Sequence, residues 1–443
     1  MPGSLTTDDD YAATAVPDNA RTGWFSIFSA TLGIATALFF AQIASIITVK
    51  YGVKLALFGL AYGYFVSAVI GALLVRRSIE TGYGINIWAR TVLGYRGAGF
   101  FSLVYGVACL TYFVAEASIM GASLRSLFPD FPRTLLYLCL VFVMLPLVWS
   151  GMRVLAKFQT VTLLLFVVFV ACAFFQSHGV GSNGALIAAP ARTTEFSFNS
   201  LLDVMGMMNG LAFIIGLVTA DYARFIRRSD ARMGVRFVGL LFPAFCYGIT
   251  GLLGVWFAEK MHESNPGVYF VSLLGVGGII FACTTQLRIN VGNIYSGTVA
   301  FVNAVEHIFT VAVSRKLVVL MFCCIATFVL VSGTASLLTA TLNVVGMYLA
   351  CFVSLLLIDQ YVVQRSRTPS AADADAEVSW RMGGLVSCFV ATSLGVWVGR
   401  EGAFPSLYQW ATPIAVFVQV TLYLTIFAST KSGKRSTLVG EAD

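Results

Sequence analysis

The sequence predicts an all-α polytopic membrane protein with twelve transmembrane helices, and three observations carry that expectation. Of its 443 residues, 58% are hydrophobic and 11% charged, too few polar side chains to clothe a water-soluble globule of this size. Apolar runs of about 18 to 25 residues recur along the chain, each long enough to cross a hydrocarbon core roughly 30 Å thick as a helix. Aromatic side chains make up 14%, Phe foremost, which suits lipid-facing helices, whereas the alternating segments of roughly ten residues that mark a transmembrane barrel do not occur. A soluble enzyme is excluded by the same arithmetic.

Hydropathy puts the helices at 24–48, 54–75, 98–124, 134–150, 154–176, 198–222, 235–258, 268–304, 316–333, 335–362, 382–399 and 407–429. A polar tail, 1–22, precedes the membrane domain of 23–430, and a second tail, 431–443, follows it. Asp8, Asp9 and Asp10 stand where a cleavable signal would be basic and then apolar, so the first span serves as its own membrane signal. The longest outer loop, about 177–197, holds Gly, Ser and Asn, and the acidic, Ala-rich 368–378 stretch reads as a linker between spans ten and eleven. The nine cysteines all lie in apolar runs, none with a CxxC or Cys/His metal spacing, and read as reduced packing residues. No metal and no cofactor is expected.

The formal charge of +7 reads as topology rather than as a surface for nucleic acid. With both termini inside, twenty basic side chains collect on the inner side, among them Arg76, Arg77, Arg90, Arg224, Arg227, Arg228, Arg315, Lys316 and Lys434. Seven, Lys50, Lys54, Arg125, Arg133, Arg192, Lys260 and Arg400, fall on the outer side. The positive-inside rule therefore predicts an integral protein of the plasma (inner) membrane with both tails cytoplasmic.

The eighth span is unusual, because a window of about 20 residues from Val268 ends near Arg288 while the apolar pattern resumes from Ile289 to Ala304. A cation at that depth costs roughly 2.5 kcal/mol or more, so it should face the bundle interior and find a partner. Glu116, in the third span, is the main acid at similar depth, since Asp203, Asp221 and Asp359 lie towards the ends of their helices. A Glu116–Arg288 pair is the expectation, either as a structural lock between helices three and eight or as part of a substrate or ion pathway. Asn290 and Asn293 follow Arg288, and Gln42 lies mid-span in the first helix. These amides serve either as helix-to-helix glue or as the polar lining of one cavity.

The segment Thr81-Gly-Tyr-Gly-Ile-Asn-Ile-Trp-Ala-Arg-Thr-Val-Leu-Gly-Tyr-Arg-Gly97 resembles the second-to-third-helix segment of purine-cytosine permeases, the nucleobase:cation symporters, with their TG...AR...G..G spacing. Thr219-Ala-Asp-Tyr-Ala-Arg-Phe225 is similar to the TADxxRF that ends their sixth helix, and Asp359-Gln-Tyr361 resembles the Asp-Tyr closing their tenth, with an inserted Gln. These pieces read physically as hinges and anchors, with Arg90 and Arg224 at the cytoplasmic interface. The resemblance implies a leucine-transporter-like fold of two inverted five-helix repeats, about 24–176 and 198–362, plus helices eleven and twelve over about 382–429. It also implies first and sixth helices broken at mid-membrane, with Gly33, Gly210 and Gly216 as candidate breaks, and repeats that rock to give alternating access.

Carried along the third helix, the resemblance assigns the stacking aromatic to Tyr112 and the polar position one turn later to Glu116, on the same helix face. A flat heterocycle is held by an aromatic plane on its face and a few aimed donors and acceptors along its edge. The second stacking aromatic falls near Phe213, one residue out of register, and Phe39 to Ser45 puts Gln42 near the first-helix break. The eighth helix departs from the family pattern. Aligned on Asn293, its run Gln286-Leu-Arg-Ile-Asn-Val-Gly-Asn293 sets Arg288 where a sodium-binding Thr is expected. A guanidinium has no acceptor and would occupy or repel the ion's place. The expectation is thus a sodium-independent carrier importing a nucleobase or related small heterocycle such as cytosine or a purine. In it Arg288 replaces the ion, H+ is the coupling cation, and Glu116 carries the proton. The substrate-binding candidates are Gln42, Tyr112, Glu116, Phe213, Asn290 and Asn293.

Two other readings differ in kind. One is a receptor that binds a heterocycle without moving it, which the lack of an attached signalling domain disfavours. The other is a carrier for a carboxylate-bearing solute such as an amino acid, which Arg288 would clamp bidentately. An enzyme is not expected, because no Ser/His/Asp constellation occurs and His178, His262 and His307 lie near loops or helix ends.

Overall fold

The computed structural model describes residues 11, 14–149, 152–179, 196–333, 335–363, 379–400, 404 and 407–439. The acidic stretch 8–10, most of the 177–197 loop and the 368–378 linker lie outside the described residues. The protein is all-α and polytopic. Among the described residues no strand forms, and the one isolated bridge joins Thr22 to Ile226. Sixteen α-helices organise the described residues. They are α1 (Trp24–Ala35), α2 (Leu38–Tyr51), α3 (Val53–Thr81), α4 (Ile85–Leu93), α5 (Tyr95–Leu127), α6 (Arg133–Phe142), α7 (Leu145–Trp149) and α8 (Met152–Gly179). Then come α9 (Phe198–Ala223), α10 (Arg228–Met261), α11 (Pro266–Leu274), α12 (Val276–Phe309), α13 (Arg315–Ser332), α14 (Ala335–Ile358), α15 (Met382–Val398) and α16 (Ala411–Val439).

Every apolar run read from the sequence falls on one of these helices or on a consecutive pair. Among the described residues, eight helices are long and apolar enough to cross a membrane, and α1 with α2, bent by 45°, adds a ninth. The expected spans that divide do so for identifiable reasons. Pro146, second residue of α7, has no N–H to donate and its ring collides with the carbonyl four residues back, which is Phe142, where α6 stops. Gly275, at φ 56° and ψ −129°, separates α11 from α12 in a backbone region closed to other residues. In α10, Pro243 sits between two stretches of wide π-helical turns, Val235–Leu241 and Phe245–Gly251, which absorb its missing donor without ending the helix.

Packing brings α5 along α12 and α3 along α9. The α5–α12 seam closes because Gly106 faces Phe301 and the Gly297 carbonyl, while Gly297 faces Phe322 and Cys109. Small residues let helix backbones approach closely where lipid offers no hydrophobic drive. The expected breaks at Gly210 and Gly216 do not occur, because α9 runs unbroken from Phe198 to Ala223. Both glycines are packing positions instead. Gly210 lies against Gly346 of α14, and Gly216 against Ile70 of α3.

At the arginine-rich end, the two family-like motifs meet. Asp221 Oδ1 accepts the Ile85 N–H at 2.7 Å, capping the first turn of α4. A side chain on Gly84 would meet both Asp221 and Arg224, so the glycine leaves room for this junction. The chain before α1 is laced over the same end. Arg21 donates to the carbonyls of Ile79 and Val16, Thr22 N–H to Phe225 O, and Arg224 Nη1 to Tyr11 O at 3.0 Å. Tyr361, of the Asp-Gln-Tyr motif, donates to Leu73 O, and Asp359 accepts from Tyr423 at 2.5 Å.

A close helix crossing, that of α10 on α2, gives a stability test. A methyl group on Gly254 would overlap the Ala41 carbonyl, whereas one on Gly248 of the same helix meets nothing within 4 Å. Gly254→Ala is expected to destabilise the fold by roughly 1–3 kcal/mol, read as a lower melting temperature in detergent, with Gly248→Ala close to wild type.

Candidate functional site

The site starts at the interruption between α1 and α2. Thr36 and Ala37 leave helical geometry, Ala37 at φ −62° and ψ 126°, so carbonyls at the end of α1 and N–H groups at the start of α2 lose their helical partners. Side chains meet several of these losses, and the backbone bonds Ala37 N–H to Ile34 O and Phe40 N–H to Ala37 O meet others. Thr36 Oγ1 donates to Gly33 O at 3.1 Å, and Thr250 Oγ1, from α10, donates to Ala35 O at 2.6 Å. On the other side of the break, Leu38 N–H donates to Gln286 Oε1 at 3.2 Å. Glu116 and Phe39 border the same cavity beside this junction. The break thus falls three residues beyond Gly33, where the hydroxyls that satisfy it are available.

Gln286 acts as a relay. Its Oε1 accepts from Leu38 and its Nε2 donates to Glu116 Oε2, which fixes the amide orientation. Gln286 and Glu116 are both buried. The expected Glu116–Arg288 ion pair is not formed. Ion pairs that do form join Arg21 and Arg228 to Asp18, and Arg76 to Glu80. The reason is helical rotation, since Gln286 and Arg288 are two positions apart, about 200° around the axis. The amide therefore meets α2 and α5 while the guanidinium turns to the other side.

That other side is a cavity of ≈ 330 Å³. Arg288 lines it at 0% exposure, and its Nε, Nη1 and Nη2 have no hydrogen-bond partner among the described residues. Phe39, Phe40, Leu211, Ile214, Val218 and Ile289 form apolar wall, while Tyr112, Glu116, Asn293 and Ser296 add polar groups. Tyr112 bridges two helices, its hydroxyl donating to Gly210 O at 3.0 Å and its ring meeting Phe39 edge to face at 5.6 Å. The cavity continues to the arginine-rich end, where Asn86, Asp221, Tyr222 and Arg224 surround it.

Of the predicted residues, Tyr112, Glu116, Arg288 and Asn293 line this one cavity. Phe213 does not, because the stripe of α9 facing it is Leu211, Ile214, Ile215, Val218 and Tyr222, a helical repeat that omits position 213. Phe213 packs into the main core. Asn290 is buried off the cavity wall, its Oδ1 3.5 Å from Asn293 Nδ2. Gln42 lies half-buried on α2, one turn beyond Phe39 and off the wall. Sequence reasoning missed Gln286, Ser296 and Asn86. Gln286 stood two residues before the buried arginine in a run already singled out by its polarity.

No protein-family model matches the chain, and no curated protein does. Solved structures do match. The chain has the leucine-transporter-like fold. The inward-facing conformation of Mhp1 superposes with TM-score 0.74 at 15% identity, covering 97% of this chain and 96% of that one. Mhp1, a nucleobase-cation-symport-1 family transporter, in a closed conformation with bromovinylhydantoin bound gives TM-score 0.67 at 15% identity, over 96% and 97%. A Na+-coupled sialic acid symporter in a substrate-bound outward-open state gives TM-score 0.60 at 12% identity, over 94% and 91%. An Eremococcus coleocola manganese transporter gives 0.54 at 16% identity, over 98% and 100%.

The relay makes a prediction of its own. Gln286→Leu leaves the Leu38 N–H and a Glu116 oxygen without their partner, a loss of about 1–3 kcal/mol. The expected reading is a lowered melting temperature, with Gln286→Glu, which keeps one acceptor for Leu38 but sets a second carboxyl against Glu116, no better than Leu at neutral pH.

Proposed function

We propose that this protein is a secondary transporter importing a small heterocycle of the nucleobase type by alternating access, driven by protons rather than sodium. The observation that carries this reading is the cavity at the α1–α2 break. It presents the Tyr112 ring, the Asn293 amide and the Glu116 carboxyl within an apolar wall, the combination that holds a flat ring on its face and its edge. The size also suits a single small heterocycle, since small-molecule pockets begin at roughly 300 Å³. The resemblance of the 81–97 and 219–225 segments to purine-cytosine permeases points to the same cargo, as does the shared fold with a protein described as binding a hydantoin.

Proton coupling rests on Arg288. A permanent guanidinium lines the cavity where the family resemblance sets an ion-binding hydroxyl, so a sodium ion there would meet like charge. Glu116 is the carboxyl within the same cavity and membrane depth to take up and release a proton. The arginine asymmetry supports a plasma-membrane protein with both termini cytoplasmic. On that orientation the cavity extends toward the cytoplasmic side as far as Asp221 and Arg224.

Uptake of labelled cytosine into vesicles, against competing purines, pyrimidines, hydantoins and amino acids, tests the proposal under a sodium or a proton gradient. Base-competable uptake that follows the proton gradient and ignores sodium is the expected outcome. Sodium-driven uptake would overturn the coupling, and binding without uptake would overturn transport. In the same assay Glu116→Gln is expected to weaken binding and flatten the pH dependence. Tyr112→Ala is expected to weaken binding by roughly tenfold, the order of one lost aromatic contact, with the pH profile kept.

A further inference from the structure

Arg288 raises a question that a neutral heterocycle leaves unanswered. The guanidinium offers five N–H donors in a planar fork and stays protonated throughout the physiological range. Its three nitrogens are buried in the cavity wall without a hydrogen-bond partner among the described residues. A buried cation is tolerated when a counter-charge and acceptors meet it, so the acceptors around it decide what it waits for.

The acids on the cavity wall are already committed. Glu116 receives the Gln286 amide, whose oxygen takes the Leu38 N–H, so through that relay it serves the start of α2 rather than the arginine. Asp221, at the far end of the cavity, receives the Ile85 N–H and caps α4. The start of α2 adds its own positive potential, since the positive end of a helix dipole favours negative charge. Two positive elements therefore border one cavity, and the protein supplies one carboxylate beside them, Glu116, which the helix start holds.

We infer that the cargo itself carries the missing negative charge: a small planar heterocycle bearing a carboxylate, its two oxygens paired with the Arg288 guanidinium and its ring beside Tyr112. Planar carboxylate and planar guanidinium meet through two parallel hydrogen bonds. This deepens the transport reading above and rests on it for the heterocycle, though not for the charge. It also follows from the coupling argument. A bound coupling cation enters and leaves with the cargo, whereas Arg288 never leaves, so charge balance in the loaded site has to come from the cargo.

The test is equilibrium binding of four probes to the purified full-length protein in lipid nanodiscs: uracil, uracil-6-carboxylate, the neutral uracil-6-carboxamide and benzoate. The carboxylate and the carboxamide have nearly the same shape, so their difference reports charge. The carboxylate is expected to bind more tightly than the carboxamide by roughly a hundredfold, the order of a buried charge pair. In Arg288→Gln that preference should vanish, and in Arg288→Lys a part of it should remain. Equal or tighter binding of uracil or the carboxamide to the wild type overturns the inference while leaving the heterocycle reading intact. Benzoate binding lost in Arg288→Gln, with no pyrimidine bound, upholds the anionic cargo and overturns the heterocycle. Failure of both carboxylates to bind overturns the inference outright. The wild-type comparison decides the matter even where a variant fails to fold.

Discussion

The structure depends on the interruption between α1 and α2. Inside a bilayer an unpaired backbone group costs several kcal/mol, so a helix can break there only where other parts of the protein replace the lost hydrogen bonds. Here the replacements come from separate helices: Thr250 of α10 for the Ala35 carbonyl, Gln286 of α12 for the Leu38 N–H, and Glu116 of α5, which holds the Gln286 amide in place. The break therefore holds three helices around itself. It also explains why polar side chains from distant parts of the chain gather at one place, since the groups that satisfy the break border the cavity or lie one helix face away from it.

Close packing gives that arrangement its rigidity. Glycines let α5 and α12 lie against each other at Gly106 and Gly297, and α10 reach α2 at Gly254. Ser45 on α2 donates to the Gly254 carbonyl at 2.9 Å, adding a hydrogen bond at the same crossing. Hydrogen bonds and small-residue contacts are the available forces between helices in lipid, and both concentrate on the elements that bound the cavity. The result is electrostatically lopsided, with a fixed cation at Arg288 and a helix N-terminus at one end of the cavity, and both wall carboxyls, Glu116 and Asp221, engaged elsewhere.

Much of the fold was legible before any coordinates. The apolar runs map onto helices one by one, and Pro146 and Gly275 account for where two of them divide. Four of the seven candidate residues, Tyr112, Glu116, Arg288 and Asn293, converge on one cavity. The misses are misses of rotation. Phe213 lies one position off the stripe of α9 that faces the cavity, and the expected Glu116–Arg288 pair gave way to Glu116–Gln286 because the amide, not the guanidinium, faces α5. The first-helix break was expected at a glycine and occurs at Thr36, where a hydroxyl can take over a freed carbonyl.

Composition and hydropathy alone determined that this chain is a bundle of membrane helices, and the spread of its arginines set the expected orientation. Both follow from the partition of each segment between water and lipid, an energy local to that segment. Tertiary structure decided which way each helix is turned about its axis, where the first span breaks, and hence which polar group meets which. A helix with polar residues at 286, 288, 290 and 293 has no preferred face until its neighbours supply partners, because about 100° of rotation per residue spreads those groups around the axis. The neighbours, held by glycine contacts and by the demands of a broken helix, turned Gln286 to the break and left Arg288 facing the cavity.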